Sequence, residues 1–177
     1  RPLMARVRWQ LPPDVYPPRA HMVLLVEVDG VPWLADVGFG GLTPTAPIRM
    51  DSNQEQETPH EPMRMEKRGD YHVLQAKVAS GWGDVYQFTL EEQHPIDFEV
   101  ANYWTAKNPG SRFTLTPLIT KPGPDGRRFI LNNREFTVRQ KSETEKCQIE
   151  TNQQLLALLC EVFELNVPAG SKIKGFE

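Results

Sequence analysis

The sequence predicts a mostly β protein closed by one C-terminal helix. Three observations carry this: short runs in which apolar and polar residues alternate, turns rich in glycine, proline and asparagine between those runs, and a single stretch near the end whose apolar residues follow helical spacing. The first run, RPLMARVRW, sets Leu3, Ala5, Val7 and Trp9 on one face and Met4, Arg6 and Arg8 on the other. The proline-rich LPPDVYPPR that follows is a loop, because proline removes ladder donors and restricts the residue before it.

His21 opens the next run, HMVLLVEVDGVPWLADV, in which Asp29-Gly30 is the signal for a two-residue type I′ turn. That turn pairs Val28 with Val31 and carries Asp36 opposite Val23, so His21 and Asp36 are diagonal neighbours on one face. Their backbones are then roughly 7–8 Å apart, within reach of a side-chain hydrogen bond. After the GFGG turn, a short strand is expected at 48–50, and the polar stretch 51–70 reads as a surface excursion. Strands follow at 71–79 and 84–90, joined by Ser80-Gly81-Trp82-Gly83. The stretch 96–107 fits a short helix as well as a strand. Beyond Asn108-Pro109-Gly110-Ser111, strands are expected at 113–121, 127–131 and 135–140, with turns at 122–126 and Asn132-Asn133. Thr151 is the expected N-cap of the helix that carries Leu155, Leu156, Leu159, Val162 and Phe163.

Composition limits the function. The chain has 177 residues, 39% of them hydrophobic, and a formal charge of −3, with basic residues scattered among acids. It lacks the basic footprint of a nucleic-acid binder. The longest apolar run, Met22 to Val26, is far too short to span a bilayer as a helix. Two cysteines, Cys147 and Cys160, are too few for a disulfide framework and fit a reducing cytosol. Because the chain opens with Arg1 inside a patterned strand, it is read as the later part of a longer polypeptide.

The candidate chemistry centres on His21 and Asp36. An acid on the apolar strand 31–37 is costly unless paired, and an imidazole held by a carboxylate is the base and orienter of a nucleophilic triad. The same pair also serves as an ordinary structural contact, and that alternative stands on the pair alone. Gly38-Phe39-Gly40-Gly41 permits close backbone approach to a ligand, with Phe39 the one side chain in the run. His60, His72 and His94 are assigned surface or packing roles, and Cys160 a place in the core. Cys147 lies in a charged segment without a nucleophile motif, and Trp104 is a candidate ligand-facing aromatic. No His/Cys cluster has metal-ligand spacing.

Taken in order, ARVRW, the fifteen positions from His21 to Asp36 in ADVGFGG, NYWTAKNPGSRFT and PDGRRFILNNREFTVR resemble the arylamine N-acetyltransferase family over nearly the whole chain. The resemblance implies an antiparallel β-barrel over 1–95, bearing the histidine and aspartate, and a small α/β lid with a C-terminal helix over 96–177. It also implies an N-terminal helical domain, outside this sequence, whose cysteine is the nucleophile. Neither Cys147 nor Cys160 matches that cysteine's motif. By resemblance His21 is the base, Asp36 its orienter, Phe39 and Gly40 line the arylamine pocket, and Trp104, Gly110 and Ser111 contact coenzyme A. The implied reaction is ping-pong acetyl transfer from acetyl-CoA to an aromatic amine or hydrazine, without a metal and in the cytoplasm, and these residues alone are expected to be inactive. Another Cys-His-Asp enzyme, such as a transglutaminase-like thiol hydrolase, or a non-catalytic β module are the alternatives.

Overall fold

The computed structural model describes residues 1–141, 143–168, 170–173 and 176. Seven strands form the first sheet: β1 (Pro2–Val7), β2 (His21–Val28), β3 (Val31–Ala35), β4 (Ile48–Arg49), β5 (Met63–Arg68), β6 (Tyr71–Val78) and β7 (Gly81–Phe88). Their order is β4-β3-β2-β1-β7-β6-β5, and every neighbouring pair is antiparallel. The sheet curls until its two edges nearly meet. Gln56 closes the gap, accepting from Arg49 N at 2.7 Å, donating to Arg49 O at 3.1 Å, and exchanging backbone bonds of 2.8 and 2.9 Å with Met63. The interior of this near-barrel holds Leu3, Ala5, Val23, Leu34, Ile48, Met63, Leu74 and Phe88.

The β2–β3 hairpin has the expected register, Val28 opposite Val31 and Leu24 opposite Ala35, through a turn with Asp29 at φ 52° and Gly30 at φ 76°. The stretch 51–70 is not wholly a surface excursion. It contains β5, whose Met63 and Met65 are buried while the alternating Arg64 and Glu66 are not; two methionines alternating with charges make a faint apolar period.

The chain leaves the barrel through α1 (Pro95–Lys107), so the ambiguous stretch is a helix. Proline at its first position supplies the right φ, and Asp97 Oδ2 accepts from His94 N at 2.8 Å. The expected strand at 113–121 splits into α2 (Arg112–Leu115), begun by Ser111, and β8 (Leu118–Pro122). β9 (Arg127–Asn132), β10 (Glu135–Gln140) and β11 (Glu143–Gln148) complete a second antiparallel sheet, ordered β11-β10-β9-β8. β11 was not expected. All its residues are exposed, so no buried face imprints a pattern on the sequence, and backbone pairing to β10 alone defines it.

The last helix, α3 (Asn152–Glu161), begins at the N-cap expected at Thr151, and the structure adds a capping box: Thr151 Oγ1 accepts from Gln154 N and Gln154 Oε1 from Thr151 N, both at 3.1 Å. It lays Leu155 and Leu159 into a second apolar cluster with Leu131, Ile149 and Phe163. Cys160 is exposed, contrary to the core position expected of it, because it lies a helical step round from Leu159.

Candidate active site

His21 faces the barrel interior because its cross-strand partner is Ala5, a core residue. β3 ends at Ala35, and the next residue turns its carboxylate back under the imidazole: Asp36 Oδ2 lies 2.7 Å from His21 Nε2. The other carboxylate oxygen accepts from Gly38 N at 2.9 Å. Asp36 is 6% exposed, and these two bonds make its burial tolerable. An ionised carboxylate only accepts, so Nε2 carries the hydrogen and the lone pair of the neutral ring sits on Nδ1. The side chain of His21 retains 14% exposure.

Two aromatic rings frame the imidazole. Phe39 meets it edge-on, with centroids 5.2 Å apart and planes at 77°, and Tyr86 of β7 lies 5.2 Å from both rings. Tyr86 was not singled out in the sequence, where it reads as one more core residue on an alternating strand. Its hydroxyl is sealed from solvent and faces the Asp36 carboxylate, outside the geometry of an ordinary hydrogen bond. Burial, and then the charge of Asp36, hold this phenol well above its usual titration range.

The turn after Asp36 is gripped by the second sheet. Gly40, at φ 106°, donates its N–H to Thr43 Oγ1 at 2.7 Å, and its carbonyl accepts from Thr43 N at 2.9 Å. A Cβ on Gly40 would stand 3.5 Å from Thr120 Oγ1, and one on Gly41 3.2 Å from Ile130 Cδ1, whereas Gly38 faces open space. Two of these glycines thus serve the approach of β8 and β9. Arg139 Nη2 donates to Gly41 O at 2.6 Å and Arg128 Nη2 to Thr43 O at 2.8 Å. Both guanidiniums also hold Glu61. Burial alone would raise that carboxyl's titration, but hydrogen bonds from Arg128 and the charges of Arg128 and Arg139 outweigh it and keep the group below the usual range. His60 bridges the same interface through Thr45 Oγ1 and Arg127 O, each at 3.0 Å, a packing role.

Four of the residues singled out in the sequence, His21, Asp36, Phe39 and Gly40, therefore come together. The other three lie apart. Trp104, half-exposed on α1, lines a groove of about 590 Å³ with Met4, Arg19 and His94. Met4 pairs with Met22, on the face of the sheet opposite Ala5 and His21. Gly110 N donates to Asn108 Oδ1 at 2.8 Å, and the buried Ser111 hydroxyl donates to Thr105 O at 2.8 Å and caps α2, so both shape a turn. Cys147 on β11 and Cys160 on α3 are exposed thiols. Among the described residues no three His, Cys, Asp or Glu side chains form a metal-ligating group, and no helix is long and apolar enough to cross a membrane.

The site is a paired histidine and aspartate on the inner wall of a nearly closed barrel, which a helix-backed second sheet follows. The N-acetyltransferase family model matches residues 1–172, and the chain belongs to the arylamine N-acetyltransferase family. It is 39% identical over 170 residues to the arylamine N-acetyltransferase of Mycobacterium tuberculosis (strain H37Rv), covering 94% of this chain and 60% of that protein. The Escherichia coli (strain K12) enzyme of the same name is 40% identical over 168 residues, with 94% and 59% covered. In structure it resembles the arylamine N-acetyltransferase of Mycobacterium marinum, with a TM-score of 0.88 and 35% identity over 93% of this chain and 61% of that one. The same enzyme in complex with CoA gives a TM-score of 0.87 over the same shares. The chain thus spans about three fifths of the length of these relatives.

Proposed function

We propose that this chain supplies the base and the orienting carboxylate of an arylamine N-acetyltransferase that works by ping-pong acyl transfer, with acetyl-CoA as donor. The observation that carries this reading is the buried contact of 2.7 Å between His21 Nε2 and Asp36 Oδ2 beside Phe39. Family membership supports the reaction class, and the CoA complex of the Mycobacterium marinum relative supports the donor. Units 1–95 and 96–177 serve as barrel and lid, and a helical segment outside these residues supplies the cysteine. Two unpaired cysteines and a thiol nucleophile accord with a reducing cytoplasm. Nothing in the charge distribution recommends a nucleic-acid or membrane partner.

In this mechanism His21 Nδ1 takes the thiol proton while Asp36 holds the ring and stabilises the imidazolium. The thiolate attacks the acetyl carbonyl, the bond to the CoA sulfur breaks, and the departing thiolate recovers the proton. The amine then attacks the thioacetyl group, its proton passes to Nδ1, and the cysteine is released as its thiol. Phe39, edge-on to His21, lines the arylamine pocket, and Gly40 sets the turn that carries Phe39. For CoA, Trp104 offers a half-exposed ring, and Gly110 and Ser111 shape the turn beyond it.

The test joins this chain to the segment that completes its relatives. His21→Ala in the completed protein is expected to abolish cysteine labelling by low iodoacetamide at neutral pH. Unchanged labelling would remove the base role, and acetyl transfer by residues 1–177 alone would overturn the external nucleophile.

A further inference from the structure

Arg128 and Arg139 are direct cross-strand partners on β9 and β10. Two like charges placed so repel, and Arg128 is 1% exposed, where water cannot screen them. The anion between them comes from the barrel. Glu61, two residues before β5, takes 2.6, 2.8 and 3.0 Å bonds from Arg128 and one of 2.8 Å from Arg139. The same Nη2 atoms that hold this carboxylate hold the carbonyls of Thr43 and Gly41.

The chain of contacts continues to the site. Thr43 closes on Gly40 through two hydrogen bonds, Phe39 stands beside Gly40 and against His21, and Gly38 N holds Asp36 Oδ1. We propose that Glu61 is a positioning residue for the His21 site, keeping Arg128 and Arg139 on the carbonyls of the glycine turn so that Phe39 and Asp36 stay in register with the imidazole. Without the carboxylate the two guanidiniums repel and cannot both keep their place on the turn. The importance of that register for acyl transfer rests on the function proposed above.

The experiment uses residues 1–177 and amide hydrogen exchange with nitrogen-resolved NMR. In Glu61→Gln, protection of Gly38, Gly40 and Thr43 is expected to fall about tenfold or more while that of Leu74 and Tyr86 in the barrel stays unchanged. The Nε2–H resonance of His21, sheltered by Asp36, is expected to broaden by faster exchange with water. Glu61→Asp, which keeps the charge on a side chain one methylene shorter and so withdraws it from the two guanidiniums, is expected to loosen Gly40 and Thr43 in the same pattern, and it decides the matter if Glu61→Gln does not fold. Unchanged turn amides and His21 resonance, or an equal loss of protection across the whole barrel, would overturn the proposal. Acetyl transfer does not enter the readout, so this proposal and the transferase reading fail in different experiments.

Discussion

The carboxylate of Asp36 is shared between two donors, His21 Nε2 at 2.7 Å and Gly38 N at 2.9 Å. Each oxygen has one job, and only an acceptor at both positions satisfies them.

Asp36→Asn breaks that arrangement. If the amide nitrogen faces Gly38, two N–H donors oppose each other; if it faces His21, it donates to Nε2 and drives the hydrogen to Nδ1, the atom that must take the thiol proton. The variant in the completed protein is expected to lose on the order of 10³-fold or more in acetyl transfer, at a cost of about 1–3 kcal/mol in stability. Activity within a few fold of the parent would show that Asp36 does not set the tautomer.

Tyr86→Phe is expected to change stability by no more than about 1 kcal/mol, since the buried hydroxyl faces the Asp36 carboxylate outside ordinary hydrogen-bond geometry and the ring contacts remain. Denaturant titration measures this. A loss beyond about 1 kcal/mol would show that the hydroxyl is satisfied in solution.

His72 links stability to pH. Its ring stacks on Phe88 at 5.7 Å, and its buried Nδ1 has no partner; burial, then the charge of Lys67, depress its titration. The folded state therefore binds this proton less readily than the unfolded chain. Its stabilisation is present above the unfolded value of about 6.5 and falls away as pH drops below it. Thermal midpoints are expected to decline from about pH 7 to pH 5, before protonation of the depressed carboxylates Glu61 and Asp84 matters. His72→Phe keeps the stack and is expected to flatten that decline; parallel curves would assign it to other groups.

Local chemistry was enough for the hairpin and for α3. Asp29-Gly30 admits one economical turn, which sets the register and so the shared face of His21 and Asp36, and Thr151 with Gln154 encodes a helix start within four residues. β11 and β5 were hidden for opposite reasons: the first buries nothing, and the second buries two residues in a polar setting.

Period, turn chemistry and motif order thus suffice for a β-rich chain, for the pairing of His21 with Asp36 and for the family resemblance. Tertiary structure alone decided that Tyr86 closes the aromatic wall, that Trp104 shares a groove with the opposite face of the sheet, and that Arg128 is buried against Glu61, 67 positions earlier in the chain. Period and turn signals report each residue's own neighbours along the chain, whereas a buried arginine looks like any surface arginine until the fold brings its carboxylate to it.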